Sequence, residues 1–459
     1  MKSRVPWILL TFAIFLTTGT LLFAQDEAEK TGKEKSEERQ RKSIGEERRD
    51  TLRYGITPQI LSVLETISEE EDPAYTDEVE SLLDTVRDTR VHTAVFRYFA
   101  AIENDSLAER AAEVLENHLD KPARLVSSVI SYAAEAEIEE LEPPILVIAE
   151  SSISGTLSLD AIKTLGVIGN DRTVERLLEL YNDSDVAEQV REQIILVLGK
   201  LGAEDAVDLL IEIAEDEGET VTLRRFAADS LGRIGSELAV DTLKELYLHQ
   251  DPYLRANAVY SLGLIGGPEA EEILFAALRD EFWRIRVSAA EAIGEGGIQD
   301  GFDILIYKAQ NDPEVQVRTA AVEALGRIGG GKAFDFLREL AREPKNPVAV
   351  RTKALETIVA EDLSGSTAFV KELFAEESTK RSSVILDPLG RILSEAEGSG
   401  LASIYEMMLG SPSIPMKIYA LRGIRVNKIG SLRDQVEKLT GEDSPASVRR
   451  YAEGVLESF

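Results

Sequence analysis

The chain has no cysteine. That excludes disulfides, thiolate metal sites, cysteine nucleophiles and thioether-linked cofactors, and it fits an oxidising compartment without requiring one. Histidine is nearly as scarce. His92, His118 and His249 are followed by Thr93, Leu119 and Gln250. None forms a His-Glu pair, a His-x-x-x-His spacing or a His-Glu-x-x-His motif, so no metal site is expected. There is no Walker-type phosphate loop and no nucleophile-elbow serine. Carboxylates are too abundant for any pair of them to stand out as catalytic. The sequence therefore assigns no catalytic residue, no cofactor and no metal.

Aromatic residues are few, at 6% of the chain, and strand-like alternation is rare. What is present in quantity is Ala, Leu, Glu and Arg, the composition of long helices. Basic residues are outnumbered: the net charge is −32. Residues 25–53 hold nine acids and nine bases, so with Lys2 and Arg4 set apart the residues from Tyr54 onward carry −34. A body this acidic repels phosphates and anionic membranes, which speaks against nucleic acid and favours a protein partner with a basic segment.

Lys2 and Arg4 precede an apolar run from Val5 to Phe23 that ends in Ala24. This is the pattern of an export signal over residues 1–24, with cleavage after Ala24. Leu22 is bulky where a small residue is preferred. An uncleaved anchor is the alternative, since such a run spans about 28 Å as a helix. Either reading places the body outside the cytoplasm, periplasmic or otherwise extracytoplasmic, with membrane contact only through an uncleaved N-terminus. Residues 25–53 are mostly charged and cannot bury a core, so they read as a flexible linker or a frayed, solvated helix.

The body repeats. Arg191, Arg224, Arg255, Arg286, Arg318 and Arg351 recur at steps of 33, 31, 31, 32 and 33 residues. Apolar residues stand one before each arginine and three, four and seven after it, which makes one stripe on a helix. Glycines follow at +8 (Gly199, Gly232, Gly263, Gly294, Gly326) and +11 (Gly202, Gly235, Gly266, Gly297, Gly329), and both sets are expected to stop the helix. Gly296 stands where other repeats carry Ile or Leu, so that repeat is expected to be looser. A partner helix lies between successive units, as in Ala206–Ala214 and Ala239–Leu248. Turn signals such as Asp251-Pro252 and Asp312-Pro313 open the arginine helices.

Outside the core the period decays. Arg90, Arg124 and Ser158 continue it upstream, and Lys417 and Arg449 downstream. The result is about 12 helix pairs: divergent over 54–156, well matched over 157–360, and divergent again over 361–459, where the last units serve as a cap.

The pattern (V/L/I)-R-x-x-A-(A/V)-x-x-L-G-x-I-G resembles HEAT repeats, most of all the short HEAT-like class associated with phycobilisome lyases. The resemblance implies an all-α fold, an α-α superhelix of antiparallel helix pairs. It implies little about function, because such repeats serve many tasks. The expected function is a non-catalytic interaction scaffold in the cell envelope. A lyase-type enzyme or enzyme-associated subunit is the alternative.

The repeated arginines read as structural, with partners among acids such as Asp251, Asp312 and Glu314. Position +5 lies opposite the buried stripe. In the proteins resembled, the second helix of each pair lines the concave surface. There, Asp229, Glu291, Glu323 and Glu356 would form an acidic row with Tyr260 among them. Tyr253 and Trp283 stand near the same helix starts, and aromatics beside charges are typical of binding hot spots.

Overall fold

The computed structural model describes residues 43–151, 155–183, 185–456 and 458–459. Among them every regular element is a helix. The residues form two compact units, one up to Gln193 and one from Ile194 onward. Each unit is a stack of helix pairs of the α-α superhelix class. One long helix, Val348–Ser378, breaks at Asp362 (φ −142°), so it supplies the second helix of one pair and the first helix of the next. Counted that way, the described residues make thirteen pairs. The expected export signal, residues 1–24, lies outside them. No described helix is long and apolar enough to cross a membrane.

The buried stripe is where the periodicity puts it. Leu223, Leu254, Ile285, Val317 and Val350 are buried, as are Leu231, Leu262, Ile293, Leu325 and Ile358. Two of the arginine helices start on side-chain caps, Thr220 and Asp251. Asp251 accepts from the backbone N–H of Tyr253 (2.9 Å) and Leu254 (2.8 Å), with Pro252 at the first helical position.

The two glycine sets do different work, which corrects the sequence reading. The +11 glycines end the helices: Gly202, Gly235, Gly266, Gly297 and Gly329 have φ between 59° and 77°. A Cβ at Gly235 would meet nothing within 4 Å, so the backbone alone demands glycine there. Gly235→Ala is expected to cost about 1–2 kcal/mol in urea denaturation. The +8 glycines lie inside their helices and have no room for a side chain. A Cβ at Gly232 would sit 2.6 Å from the Cα of Ser261 on the next second helix, and one at Gly294 2.6 Å from the Cα of Ala324. The contacted residues occupy +6 of the following helix: Ser230, Ser261, Ala292, Ala324 and Thr357. Small residues on both sides form a seam. Along it, second helices in the second unit pack far more closely on each other than the first helices do. The exposed side of the second-helix layer is therefore the inner side of that stack.

Gly296 does not leave its repeat loose. A Cβ there would lie 3.2 Å from Cγ1 of Ile298, whose side chain is buried and fills the space.

At Arg90 and Arg124 the first unit departs from the expected register. In helix Thr89–Ala101 the buried residues are Val91, Thr93, Val95, Phe96, Tyr98 and Phe99; in Ala123–Glu135 they are Leu125, Val126, Ser128, Val129, Ile130, Tyr132 and Ala133. The stripe then centres on His92 and Val126, two residues beyond Arg90 and Arg124, which are exposed. Ser158 holds its place and donates to the carbonyl of Ala149 (2.9 Å).

Residues 43–53, assigned by composition to a flexible linker or a frayed, solvated helix, form with Tyr54 a helix docked on the body. Leu52 is buried. Arg48 makes two hydrogen bonds to Glu70 (2.6 and 2.8 Å), Arg53 bonds Glu78 (2.8 Å), and Arg49 lies over the Tyr75 ring. The charges that suggested a linker are the contacts that dock it.

Candidate interaction face

The recurring arginines are engaged in contacts within the stack. Arg224, Arg318 and Arg351 donate Nε to the carbonyls of Ala214 (2.9 Å), Ala309 (2.9 Å) and Ala341 (2.8 Å), near the C-terminal ends of the preceding helices. Those carbonyls lack an intrahelical donor, and a cation there also suits the helix dipole. Where the next repeat offers an acid, the guanidinium reaches it: Arg255 to Asp280 (3.3 Å), Arg286 to Asp312 (2.8 Å), Arg351 to Glu377 (3.5 Å). Arg318 finds Asn346 instead (3.4 Å), and Arg191 lies over the Tyr181 ring. Of the acids expected as partners, only Asp312 serves; Asp251 is a helix cap, and Glu314 carries no bond to an arginine.

The +5 residues lie on one face of the second helices, and the row is not purely acidic. Arg233 bonds Asp229 (2.8 Å). Tyr260 donates its hydroxyl to Glu295 (2.7 Å). Arg327 bridges Glu295 (3.1 Å) and Glu323 (2.9 Å), and Lys353 stands between Glu323 (3.5 Å) and Glu356 (3.1 Å). The bases come from +9 and +2, positions the +5 reading leaves out, and Glu295 is a further +9 residue. The ladder still holds more acid than base. No base is within ion-pair distance of Glu291 among the described residues. Although Glu291 is exposed, desolvation by the surrounding helices pushes its carboxyl above the usual range; Glu323 and Glu295 add to the rise and Arg327 opposes it. Burial, with Glu295 and Glu291, likewise pushes Tyr260 up to about 12.

Tyr253 and Trp283 are brought together through Phe282. Tyr253 meets the Phe282 ring edge-on at 5.8 Å, and Phe282 stands 6.4 Å from Trp283. Arg284 lies over both Tyr253 (5.2 Å) and Trp283 (4.8 Å), and Arg225 over Tyr253 (5.7 Å). Tyr253 precedes Tyr260 by two helical turns, so this cluster lies about 10 Å along the same face from the ladder. Phe282, Arg225 and Arg284 belong to it, and the sequence reading named none of them.

Over residues 52–455 the chain matches the family described as the spirochaete HEAT repeat protein. The chain belongs to that family. No curated protein matches it. Solved structures similar to it include the Escherichia coli protein YibA, at 22% identity over 59% of this chain and 98% of that one, with a TM-score of 0.36. Kap121p aligns at 11% identity over 91% of this chain and 55% of its own, with a TM-score of 0.41. Human deoxyhypusine hydroxylase aligns at 18% over 64% and 96%, with a TM-score of 0.25. In this HEAT chain no group of three or more His, Asp or Glu is placed to hold a metal among the described residues. A HEAT-repeat stack supports protein interaction in general terms.

Proposed function

We propose that this chain is a non-catalytic protein-interaction scaffold of the cell envelope. In this reading the exposed second-helix face of the second unit takes a partner segment that carries a basic residue. One observation carries it: Glu291 makes no ion pair among the described residues, and Glu323 and Glu295 raise its carboxyl more than Arg327, which bridges them, lowers it, so an arriving cation relieves the repulsion. The aromatic cluster supports it from beside the ladder. Its ring faces are already occupied by Arg225 and Arg284, so it offers the partner apolar ring edges and guanidinium donors for backbone carbonyls. The envelope assignment rests on the N-terminal sequence pattern alone.

The test is photo-crosslinking in intact cells. A benzophenone side chain at Leu264, exposed at +9 of the Arg255 helix, is expected to trap one discrete protein adduct. Glu291→Lys should weaken that interaction about tenfold. The same probe at Tyr307, 61% exposed on a first helix, should trap none. An adduct from 307 alone, or one from 264 indifferent to Glu291→Lys, would overturn the proposal. So would a chromophore or metal purifying with the chain, which would instead favour the lyase-type reading.

A further inference from the structure

In the first unit, three arginines gather on the second-helix face, where that of the second unit is acidic. Relative to the stripe residues His92 and Val126, Arg97 occupies +5, and Arg90 and Arg124 occupy −2. These three arginines line a cleft of about 350 Å³ formed by helices Thr57–Glu69, Thr89–Ala101 and Ala123–Glu135. Arg90 is paired with Asp88 (2.7 Å). Neither Arg97 nor Arg124 has an acid within ion-pair distance among the described residues. In a chain of net charge −32, two guanidiniums left unpaired in one cleft are out of proportion to the surface around them.

A second, independent feature points into the same place. Thr93 lines the cleft and is only 3% exposed, yet its Oγ1 has no hydrogen-bond partner. A helical threonine can give its hydroxyl to a carbonyl one turn back. The solvent-facing Thr51, Thr66 and Thr85 do so, while the buried Thr164, Thr173 and Thr242 give theirs to acceptors on neighbouring helices. The Thr93 hydroxyl is a buried donor awaiting an acceptor. Leu61, Leu64 and Ala94 supply apolar lining. Glu65 and Glu69 stand in the wall as well and weigh against a multiply charged anion.

We propose that this cleft is a binding site for a single carboxylate carried on a short apolar stem. Arg97 and Arg124 hold the carboxylate in the planar fork geometry that guanidinium favours. Thr93 donates its hydroxyl to it, and Leu61, Leu64 and Ala94 pack the stem. An acidic side chain of a protein segment and a free short-chain aliphatic acid share this chemistry. The site stands independently of the role proposed for the second unit.

Isothermal titration of the full chain tests it with four probes: hexanoate, hexanamide, acetyl-Leu-Glu-Leu-amide and its Gln counterpart. Both acids should bind at one site, and each neutral counterpart at least about tenfold more weakly. Tighter binding of the peptide identifies a protein segment as the source, and tighter binding of hexanoate a free acid. Arg97→Gln with Arg124→Gln should lower affinity about tenfold or more. Thr93→Val should weaken binding severalfold while leaving the melting temperature unchanged or raised, because valine removes an unsatisfied hydroxyl. Acids that bind no better than amides, inorganic phosphate that binds as well as the acids, or a double arginine variant with undiminished affinity would each overturn the assignment.

Discussion

Asp312→Ala is expected to destabilise the second unit by about 3–5 kcal/mol, the cost of leaving a buried charge without its partner. The side chains of Arg286 and Asp312 are 8% and 1% exposed. The pair is bidentate, with Nε to Oδ2 at 2.9 Å and Nη2 to Oδ1 at 2.8 Å. Arg286 also donates to the carbonyls of Asp280 (2.8 Å) and Glu281 (3.2 Å), so it is held in place and cannot swing out to water. Asp312 in turn accepts from Lys308 (3.1 Å) and from the backbone N–H of Glu314 (3.1 Å), at the start of the next arginine helix. Alanine removes all of these at once. Asp312→Leu with Arg286→Met, which removes both charges, should recover much of the loss. Trp283, three residues from Arg286, reports the change by fluorescence in a Trp7→Phe background under urea. Neighbouring repeats should loosen first and distant ones later, since each pair contacts only its neighbours. A wild-type urea midpoint in Asp312→Ala would mean the pair does not hold the repeats together.

The same pair makes stability depend on pH in a definite direction. Burial acts to raise the Asp312 carboxyl, but the Arg286 hydrogen bonds, the Glu314 amide and Lys308 prevail and hold it below the ordinary aspartate range. A group whose pKa is depressed on folding stabilises the fold above its unfolded pKa. It loses that contribution as pH falls through the folded value. The difference between wild type and Asp312→Ala should therefore be constant near neutrality and shrink once pH drops below about 4.

The sequence carried the repeat wherever an arginine marked it. From Arg191 to Arg351 the stripe at −1, +3, +4 and +7 is buried without exception, because the stack admits no other register. The register failed at Arg90 and Arg124 for a physical reason. His92 and Val126 take the arginine's place, while Arg90 and Arg124 two residues earlier are solvent-facing and mimic the marker. The +8 and +11 glycines looked equivalent because both flank a helix end, yet one set answers to backbone φ and the other to a neighbouring helix. The signal that separates them was present in the small residues at +6, from Ser230 to Thr357, and it becomes readable once the next helix is in view. On the candidate face, +5 identified the acids and Tyr260. The counter-ions Arg233, Arg327 and Lys353 were invisible to a single-position reading, since they reach in from other turns and other helices.

Gly263→Ala decides whether the +8 glycines form a seam, because helix propensity and a close helix contact predict opposite signs. Gly263 lies inside helix Pro252–Ile265 and is not among the positive-φ glycines. Helix propensity alone would make alanine stabilising there by about 1 kcal/mol. In the seam, the added methyl falls onto the Cβ of Ala292 on the next second helix, and overpacking of this kind costs about 1–3 kcal/mol. A net loss in urea denaturation is expected, and Ala292→Gly in the same chain should restore most of it as a coupled pair. The consequence reaches the candidate face. Tyr260 and Glu295 sit on these same two helices, and forcing the helices apart should break their hydrogen bond. The phenol, pushed up to about 12 by burial and by Glu295, should then titrate closer to 10 in ultraviolet absorbance. If Gly263→Ala stabilises the chain and leaves the Tyr260 titration unchanged, the close approach of the second helices does not set the geometry of the face.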